Sequence, residues 1–186
     1  MTDSLTSQKK VVFAIGTGRC GTTFLAKAFA QEPNIASWHE RHPMNDAFHR
    51  YCQWNKLAVD HGGFLATKRL GVEADWQQGK VSFESSAYLS LSILKLHEAF
   101  DAHFILLVRR PDQVVNSYLT KGWYQPALVR DDPNLPAGYQ PHPSHPHHPF
   151  SRITPQGEMG KTWHQWSRVG QIACFCTAIT TAFLGN

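Results

Sequence analysis

This sequence lacks several features that would assign it to a specialised class of protein. It has no run of about 18 consecutive apolar residues, the length that a membrane span requires, and its N-terminus, MTDSLTSQKK, has no signal-peptide apolar core. Its cysteines (Cys20, Cys52, Cys174 and Cys176) show no C-x-x-C spacing and no secreted disulfide framework. The net charge of +4 is small and scattered, which argues against a nucleic-acid-binding surface. We therefore expect a soluble, cytoplasmic protein with reduced thiols.

What is present is the composition of one globular domain spanning residues 1–186, with 42% hydrophobic and 12% aromatic residues. Apolar patterning predicts strands at Val11–Ile15, Ile35–Trp38, Val81–Glu84 and His103–Val108. Helices are predicted at Thr22–Ala30, Pro43–Val59, Leu89–Phe100, Pro111 to about Lys121, and Met159–Leu184. This alternation predicts an α/β fold, with a parallel β-sheet flanked by helices on both faces. The run HFILLV at 103–108 favours a central strand buried on both faces.

A glycine-bearing turn follows the first strand and precedes the first helix, with the sequence GTGRCGTT at 16–23. Glycines let a backbone approach an anion closely, and a helix N-terminus directs N–H groups and a positive dipole at it. The spacing from Gly16 to Gly21 matches the G-x-x-x-x-G of a nucleotide P-loop, but Gly21 is followed by threonines and not by Lys-Ser/Thr. The cation, Arg19, lies inside the loop. We predict phosphate binding here; the simpler reading is a glycine turn that only caps a helix.

A second candidate phosphate site follows the fourth predicted strand. Arg109 ends that strand, Pro111 begins a helix, and Ser117 lies eight positions after Arg109. Taken alone, the segment would be a strand end with two solvated arginines. Because ligands of parallel α/β sheets bind beyond the carboxyl ends of the strands, both candidate sites are expected at the same edge.

The two segments together, with Arg109 placed 90 positions after Arg19, resemble the phosphate-binding signatures of the sulfotransferase family, closest to bacterial and carbohydrate-type members. The resemblance implies a P-loop NTPase-like sulfotransferase fold. It also implies in-line transfer of a sulfuryl group, without a metal, from 3′-phosphoadenosine 5′-phosphosulfate (PAPS) to a hydroxyl or amine. The implied 5′-phosphosulfate site contains Gly18, Arg19, Cys20, Gly21, Thr22, Thr23 and Phe24. The implied 3′-phosphate site contains Arg109 and Ser117. Cys20 stands where the family usually has serine or glycine.

Transfer to a hydroxyl needs a group that accepts its proton. Many family members have a glutamate just after the second strand, which favours Glu40, while His39 and His42 remain rivals and Arg19 is expected to assist at the transferred group. A polar strand end with solvated side chains is the simpler alternative for any of the three. At the end of the third strand, Glu84-Ser85-Ser86 lacks the lysine of the family's Glu-Lys-Thr/Ser-Pro. Glu84 is a candidate second carboxylate on the acceptor side, but a helix N-cap is the better explanation for it.

The remaining segments are predicted to be irregular. Residues 1–10 are expected to be flexible, and Tyr124–Pro155, dense in proline and histidine, to form a long loop that covers the acceptor site. Its histidines (His142, His145, His147 and His148) are irregularly spaced, so no metal site is predicted. The acceptor is a small molecule, carbohydrate or lipid that the sequence does not identify; nor does the sequence define an oligomeric state.

Two other functions remain open. A P-loop kinase or NTPase is disfavoured by the missing P-loop lysine and by the absence of an obvious Walker B aspartate. An inactive, truncated nucleotide-binding remnant is the other, because family members usually continue with another strand and a segment that closes over the nucleotide. That C-terminal part is expected to be missing here.

Overall fold

The computed structural model describes residues 9–125 and 146–184. Its centre is a four-stranded sheet of β1 (Val11–Gly16), β2 (Ile35–His39), β3 (Val81–Ser85) and β4 (His103–Leu107). The strand order is β2-β3-β1-β4, and every neighbouring pair is parallel. The predicted α/β class with a parallel sheet is therefore confirmed.

The helices are α1 (Thr22–Phe29), α2 (Pro43–Trp54), α3 (His61–Gln77), α4 (Ile93–Phe100), α5 (Pro111–Thr120), α6 (His148–Ser151), α7 (Gly157–Trp163) and α8 (Arg168–Leu184), with a 3₁₀ helix at Ala87–Leu91. In the described part of the chain, no helix has the length and apolar character needed to cross a membrane. All four cysteines are free thiols.

Alternate residues of β1 serve opposite faces of the sheet, as the two-residue period of a strand requires. Val11, Phe13 and Ile15 pack in one cluster with buried side chains of α3 and α4. Ala14 packs in another with Phe83 and side chains of α1. A third cluster joins α5, α7 and α8 beside the sheet. Helices thus cover both faces, as predicted.

The predicted helix Pro43–Val59 is wrong at its end, because α2 stops at Trp54 and a second helix, α3, follows. Gly62 and Gly63, which follow the predicted helix in the sequence, lie in the first turn of α3. Asp60 caps that turn, since its side chain accepts a hydrogen bond of 2.8 Å from the Gly63 N–H. Small residues are favoured here because a Cβ on Gly63 would lie 2.2 Å from the Asp60 carboxylate.

Two other predicted helices are interrupted. The segment predicted as Leu89–Phe100 begins as the 3₁₀ helix and continues as α4 after Ser92. The segment predicted as Met159–Leu184 is divided into α7 and α8. The second break has a local cause, because the Ser167 hydroxyl accepts a hydrogen bond of 3.2 Å from the Gly170 N–H at the start of α8.

The predicted central position of the fourth strand is wrong. Within the described residues β4 pairs only with β1, so it forms an edge of the sheet. Leu106 and Val108 are 48% and 81% exposed. A continuous apolar run predicts a strand, but it does not determine how many neighbours that strand has.

The proline- and histidine-rich segment is only partly irregular. Residues 126–145 and the N-terminal residues 1–8 lie outside the described residues, so their predicted loop and flexibility stay predictions. Tyr124, however, is buried in the third cluster. At the other end, His148–Ser151 forms α6, with Pro149 in its first turn, where a missing N–H is tolerated. The short helix α6 therefore interrupts the predicted loop, and residues 151–154 are buried.

Candidate active site

The loop between β1 and α1 has an unusual backbone conformation. Gly18, Arg19 and Gly21 all have positive φ angles, of 84°, 57° and 108°. At Gly18 a side chain is also excluded by space, since a Cβ would lie 2.3 Å from the Tyr118 hydroxyl. That hydroxyl donates a 2.6 Å hydrogen bond to the Thr17 carbonyl and so ties the loop to α5.

The loop presents groups that bind anions. The first turn of α1 has backbone N–H groups with no acceptor inside the helix, and the helix dipole adds positive potential there. Thr22 and Thr23 begin that turn, and their hydroxyl oxygens lie 3.2 and 3.0 Å from His39 Nε2. Arg19 supplies a guanidinium two residues before Gly21.

The two segments that the sequence indicated as phosphate sites meet directly. β1 and β4 are neighbours whose ends align, with Gly16 opposite Leu107. Arg19 Nε donates a 2.9 Å hydrogen bond to Ser117 Oγ. Arg109 donates a 3.1 Å hydrogen bond to the Arg19 carbonyl. Residues separated by 98 and 90 positions therefore form one structural unit at the carboxyl edge of the sheet.

A cavity of about 620 Å³ opens beside this unit. Of the predicted site residues, Gly18, Arg19, Thr22, Thr23, His39 and Glu40 line it. The other lining residues are Thr17, Arg50, Ala87, Tyr88, Tyr118, Lys121, Trp123, His147, His148, Arg152 and Phe175. Among the described lining residues, Glu40 is the only carboxylate, set against four arginines and lysines. The cavity therefore suits an anionic ligand.

The remaining predicted site residues do not line this cavity; they are Cys20, Gly21, Phe24, His42, Arg109 and Ser117. Phe24 is 76% exposed. The Cys20 side chain lies close over Gly16, and burial raises the pKa of its thiol. Arg109 and Ser117 are hydrogen-bonded to Arg19, which does line the cavity.

Glu40 follows β2 in a fixed backbone position. Its φ angle is 50°, its N–H donates to the Ser85 carbonyl at 3.1 Å, and the next N–H, of Arg41, donates to Glu84 Oε1 at 3.2 Å. Burial raises the pKa of Glu40 to about 7; Arg50 and Arg19 oppose this rise, and Glu84 adds to it. A carboxylate with a pKa near neutrality is suited to accept a proton.

The two histidines that rival Glu40 have different surroundings. His39 lines the cavity, and its Nε2 faces the threonine hydroxyls of the loop between β1 and α1. His42 precedes α2, and its buried Nε2 has no hydrogen-bond partner among the described residues. Burial lowers the pKa of both rings, against the opposing charge of Glu84. Of the three candidates, Glu40 and His39 therefore face the cavity.

Glu84 is not a helix N-cap, so that interpretation is wrong; Ser86 caps the 3₁₀ helix, and its side chain accepts from the Tyr88 N–H. Glu84 is buried against Lys68, whose Nζ lies 2.7 and 2.8 Å from its two carboxylate oxygens. The same Nζ lies 2.7 Å from Asp46 Oδ2. A lysine from α3 thus stands beside Glu84, where the sequence after the third strand has none.

Sequence reasoning missed the cationic residues Arg50 and Arg152 and the aromatic residues Tyr88 and Trp123 in the cavity wall. Arg50 follows Asp46 by four positions, a spacing typical of an exposed ion pair on one helix. In the structure both side chains are buried and each has other partners. No local pattern in the sequence indicates that Arg50 or Arg152 lines a cavity.

Among the described residues, no three His, Cys, Asp or Glu side chains are grouped as a metal site would need. His142 and His145 lie outside those residues, whereas His147 and His148 line the cavity. Comparisons with protein-family models, with curated proteins and with solved structures found no match for this chain.

Proposed function

We propose that this protein is a sulfotransferase that uses PAPS as the donor and transfers its sulfuryl group to a hydroxyl of an acceptor. The observation that carries the proposal is the direct contact between the two segments predicted to bind phosphate, through the Arg19–Ser117 and Arg109–Arg19 hydrogen bonds. A nucleotide with phosphates at both its 5′ and 3′ positions needs two such anion sites side by side. The P-loop-like sulfotransferase fold belongs to the same proposal.

In this mechanism the acceptor oxygen attacks the sulfur of PAPS, and the bond from sulfur to the bridging phosphate oxygen breaks. The sulfuryl group becomes an ester of the acceptor, and 3′-phosphoadenosine 5′-phosphate (PAP) leaves. Arg19, the threonine hydroxyls and the N-terminus of α1 stabilise the negative charge that develops on the leaving phosphate. Glu40 accepts the proton of the acceptor hydroxyl.

A kinase-like reaction is less well supported, because the loop offers Arg19 and two threonines where a P-loop offers lysine and one hydroxyl for a triphosphate with its magnesium ion. Thermal shift with PAP and with ATP–magnesium separates the two functions. We expect stabilisation by PAP at concentrations where ATP–magnesium has little effect. Stabilisation by ATP–magnesium alone would support a kinase or NTPase, and stabilisation by neither would support an inactive remnant.

Replacement of Arg19 by alanine should weaken PAP binding roughly 10- to 100-fold, because a hydrogen bond to a charged group contributes about 1.5–3 kcal/mol. Isothermal titration calorimetry measures the effect. Arg110→Ala is the matched control, since Arg110 is exposed, pairs with Asp112 and does not line the cavity. Unchanged PAP affinity in Arg19→Ala would show that this loop does not bind the nucleotide.

Arg109→Ala and Ser117→Ala should each reduce the preference for PAP over adenosine 5′-monophosphate, which lacks the 3′-phosphate. Ser117 also holds Arg19, so its variant should lose some affinity for both nucleotides, whereas Arg109→Ala should lose affinity mainly for PAP. Calorimetric titration of both nucleotides against each variant measures the ratio. An equal loss for both nucleotides in Arg109→Ala would contradict the assignment of the 3′-phosphate site.

A further inference from the structure

One part of the cavity wall contains cationic groups that the donor site does not explain. α2 contributes Arg50, and the residue that follows α6 is Arg152. Both are at least 95% buried, at 1% and 5% exposure, yet both line the cavity. Neither belongs to the phosphate loop or to the segment containing Arg109 and Ser117.

The guanidinium group of Arg50 is held by backbone carbonyls and not by a carboxylate. Its two terminal nitrogens donate to the carbonyls of Ala87, at 2.9 Å, and Ser151. Its buried Nε has no hydrogen-bond partner among the described residues, and none of the ion pairs there includes Arg50. A buried charge that lacks a counter-ion is costly, and an anionic ligand would offset that cost.

Both guanidinium groups lie over aromatic rings. Arg50 is 5.0 Å from the centre of the Tyr88 ring, and Arg152 is 4.6 Å from the centre of the Trp123 ring. Contacts with aromatic faces hold the planar guanidinium group in a fixed orientation. A fixed, planar guanidinium group is suited to bind a carboxylate through two parallel hydrogen bonds.

Both arginines line the same cavity as the proposed base, Glu40. The charge of Arg50 opposes the rise in the pKa of Glu40. Burial raises the pKa of Tyr88, Glu40 adds to that rise, and Arg50 and Arg152 oppose it, so these side chains influence one another electrostatically. Glu40 cannot serve as a lasting counter-ion for Arg50, because it becomes neutral when it accepts a proton. The acceptor must place its hydroxyl beside Glu40, so another part of the same molecule can reach the two arginines.

We propose that the acceptor is a hydroxyl compound that also carries a carboxylate, and that this carboxylate binds at Arg50 and Arg152. The inference rests on the proposed function, since it assigns the acceptor of that reaction. The cavity then contains two kinds of anion site. The loop around Arg19 binds the phosphosulfate of the donor, and the two arginines beside Glu40 select the acceptor.

The test uses pairs of probes that differ only in the carboxylate: methyl β-D-glucuronide against methyl β-D-glucoside, and 4-hydroxybenzoate against 4-hydroxybenzamide. Each probe is titrated into the full chain saturated with PAP, so that the phosphate loop is occupied. In at least one pair, the carboxylate member should bind about tenfold more tightly or better, as a charge-assisted contact implies. Equal affinity within both pairs, or binding by none of the probes, would overturn the inference.

Variants of Arg152 show whether the preference comes from this site. Arg152→Gln should reduce the preference for the carboxylate member, because only Arg50 then remains to bind it, and Arg152→Lys, which keeps the charge, should retain more of the preference. The matched control is Arg69→Gln, because Arg69 is exposed and does not line the cavity. Arg50 is left unchanged because it supports the backbone at Ala87 and Ser151.

PAP affinity, measured in the same variants, separates this inference from the proposed function. If Arg152→Gln weakens the binding of PAP as much as it weakens the binding of the carboxylate probe, the arginine belongs to the donor site and the inference is wrong. If the wild-type chain binds PAP but shows no carboxylate preference, the inference alone fails. If the wild-type chain does not bind PAP, the proposed function fails, and the acceptor role fails with it.

Discussion

Replacing Lys68 with methionine should lower the free energy of unfolding by about 3–5 kcal/mol, the cost typical of leaving a buried charge without its partner. Lys68 Nζ lies within 2.8 Å of oxygens of both Asp46 and Glu84, and all three side chains are at most 5% exposed. Methionine preserves much of the volume but removes the ammonium group. Two buried carboxylates would then face each other without a cation.

The pH dependence of this loss gives a second measurement. Burial raises the pKa of Asp46 above its usual value even with Lys68 present, because the lowering by Lys68 is smaller. Without Lys68 the pKa should rise further, so the folded variant must keep a carboxyl protonated that the unfolded chain ionises at its usual pKa of about 3.9. The folded state then holds more protons than the unfolded state, and the stability deficit should grow from pH 5 to pH 8.

Urea unfolding at the two pH values measures both effects. Lys95→Met is the control, because Lys95 is exposed and its pairing with Glu98 is a surface interaction of 3.6 Å. The double variant Lys68→Met/Asp46→Asn should recover part of the lost stability, most clearly at pH 8, since asparagine is neutral without binding a proton. A stability loss in Lys68→Met no larger than that in Lys95→Met would show that the buried triad of Lys68, Asp46 and Glu84 does not depend on the lysine.

This triad also supports the proposed base. Glu84 Oε1, one of the oxygens bound by Lys68, accepts the N–H of Arg41, the residue that follows Glu40. Glu40 itself has a positive φ angle, which for a residue other than glycine persists only where neighbouring contacts impose it. The buried Lys68–Glu84 ion pair therefore helps to fix the backbone that places the Glu40 carboxylate in the cavity wall.

The parts of this architecture that the sequence predicted are those with strong local signals. The strand, glycine loop and helix from Val11 to Phe29 are encoded within a short segment, because an apolar run, glycines that permit positive φ and a helix-forming stretch follow one another. The proximity of Arg19 and Arg109 could also be anticipated. Both follow parallel strands, whose carboxyl ends lie at one edge of a sheet.

The parts that could not be predicted depend on tertiary contacts. Arg50 looks like a surface residue of an amphipathic helix, and only the packing of α2 against the 3₁₀ helix and α6 buries it beside the cavity. Lys68 reaches Glu84 from α3, a helix that the sequence pattern did not predict. The edge position of β4 depends on strand pairing, which its own composition does not record.

Glu40→Gln should reduce turnover by about 10²–10⁴-fold while leaving PAP affinity nearly unchanged, because glutamine keeps the shape of the side chain but cannot accept the proton. Turnover is measured as PAP release from PAPS with a hydroxyl acceptor that the wild-type protein sulfates. His39→Asn and His42→Asn are compared under the same conditions. His39 contacts the loop threonines, so its variant should weaken donor binding more than it slows the chemical step.

The pH profile distinguishes a base from a residue that only shapes the site. Because burial raises the pKa of Glu40 to about 7, the carboxylate form is lost as the pH falls through that value, and wild-type kcat/KM should decline with it. The residual activity of Glu40→Gln should lack this decline, since no titrating carboxyl remains at that position. His39→Asn and His42→Asn should retain it. If Glu40→Gln keeps both near-full turnover and the acidic decline while one histidine variant loses them, that histidine is the base and Glu40 has only a structural role.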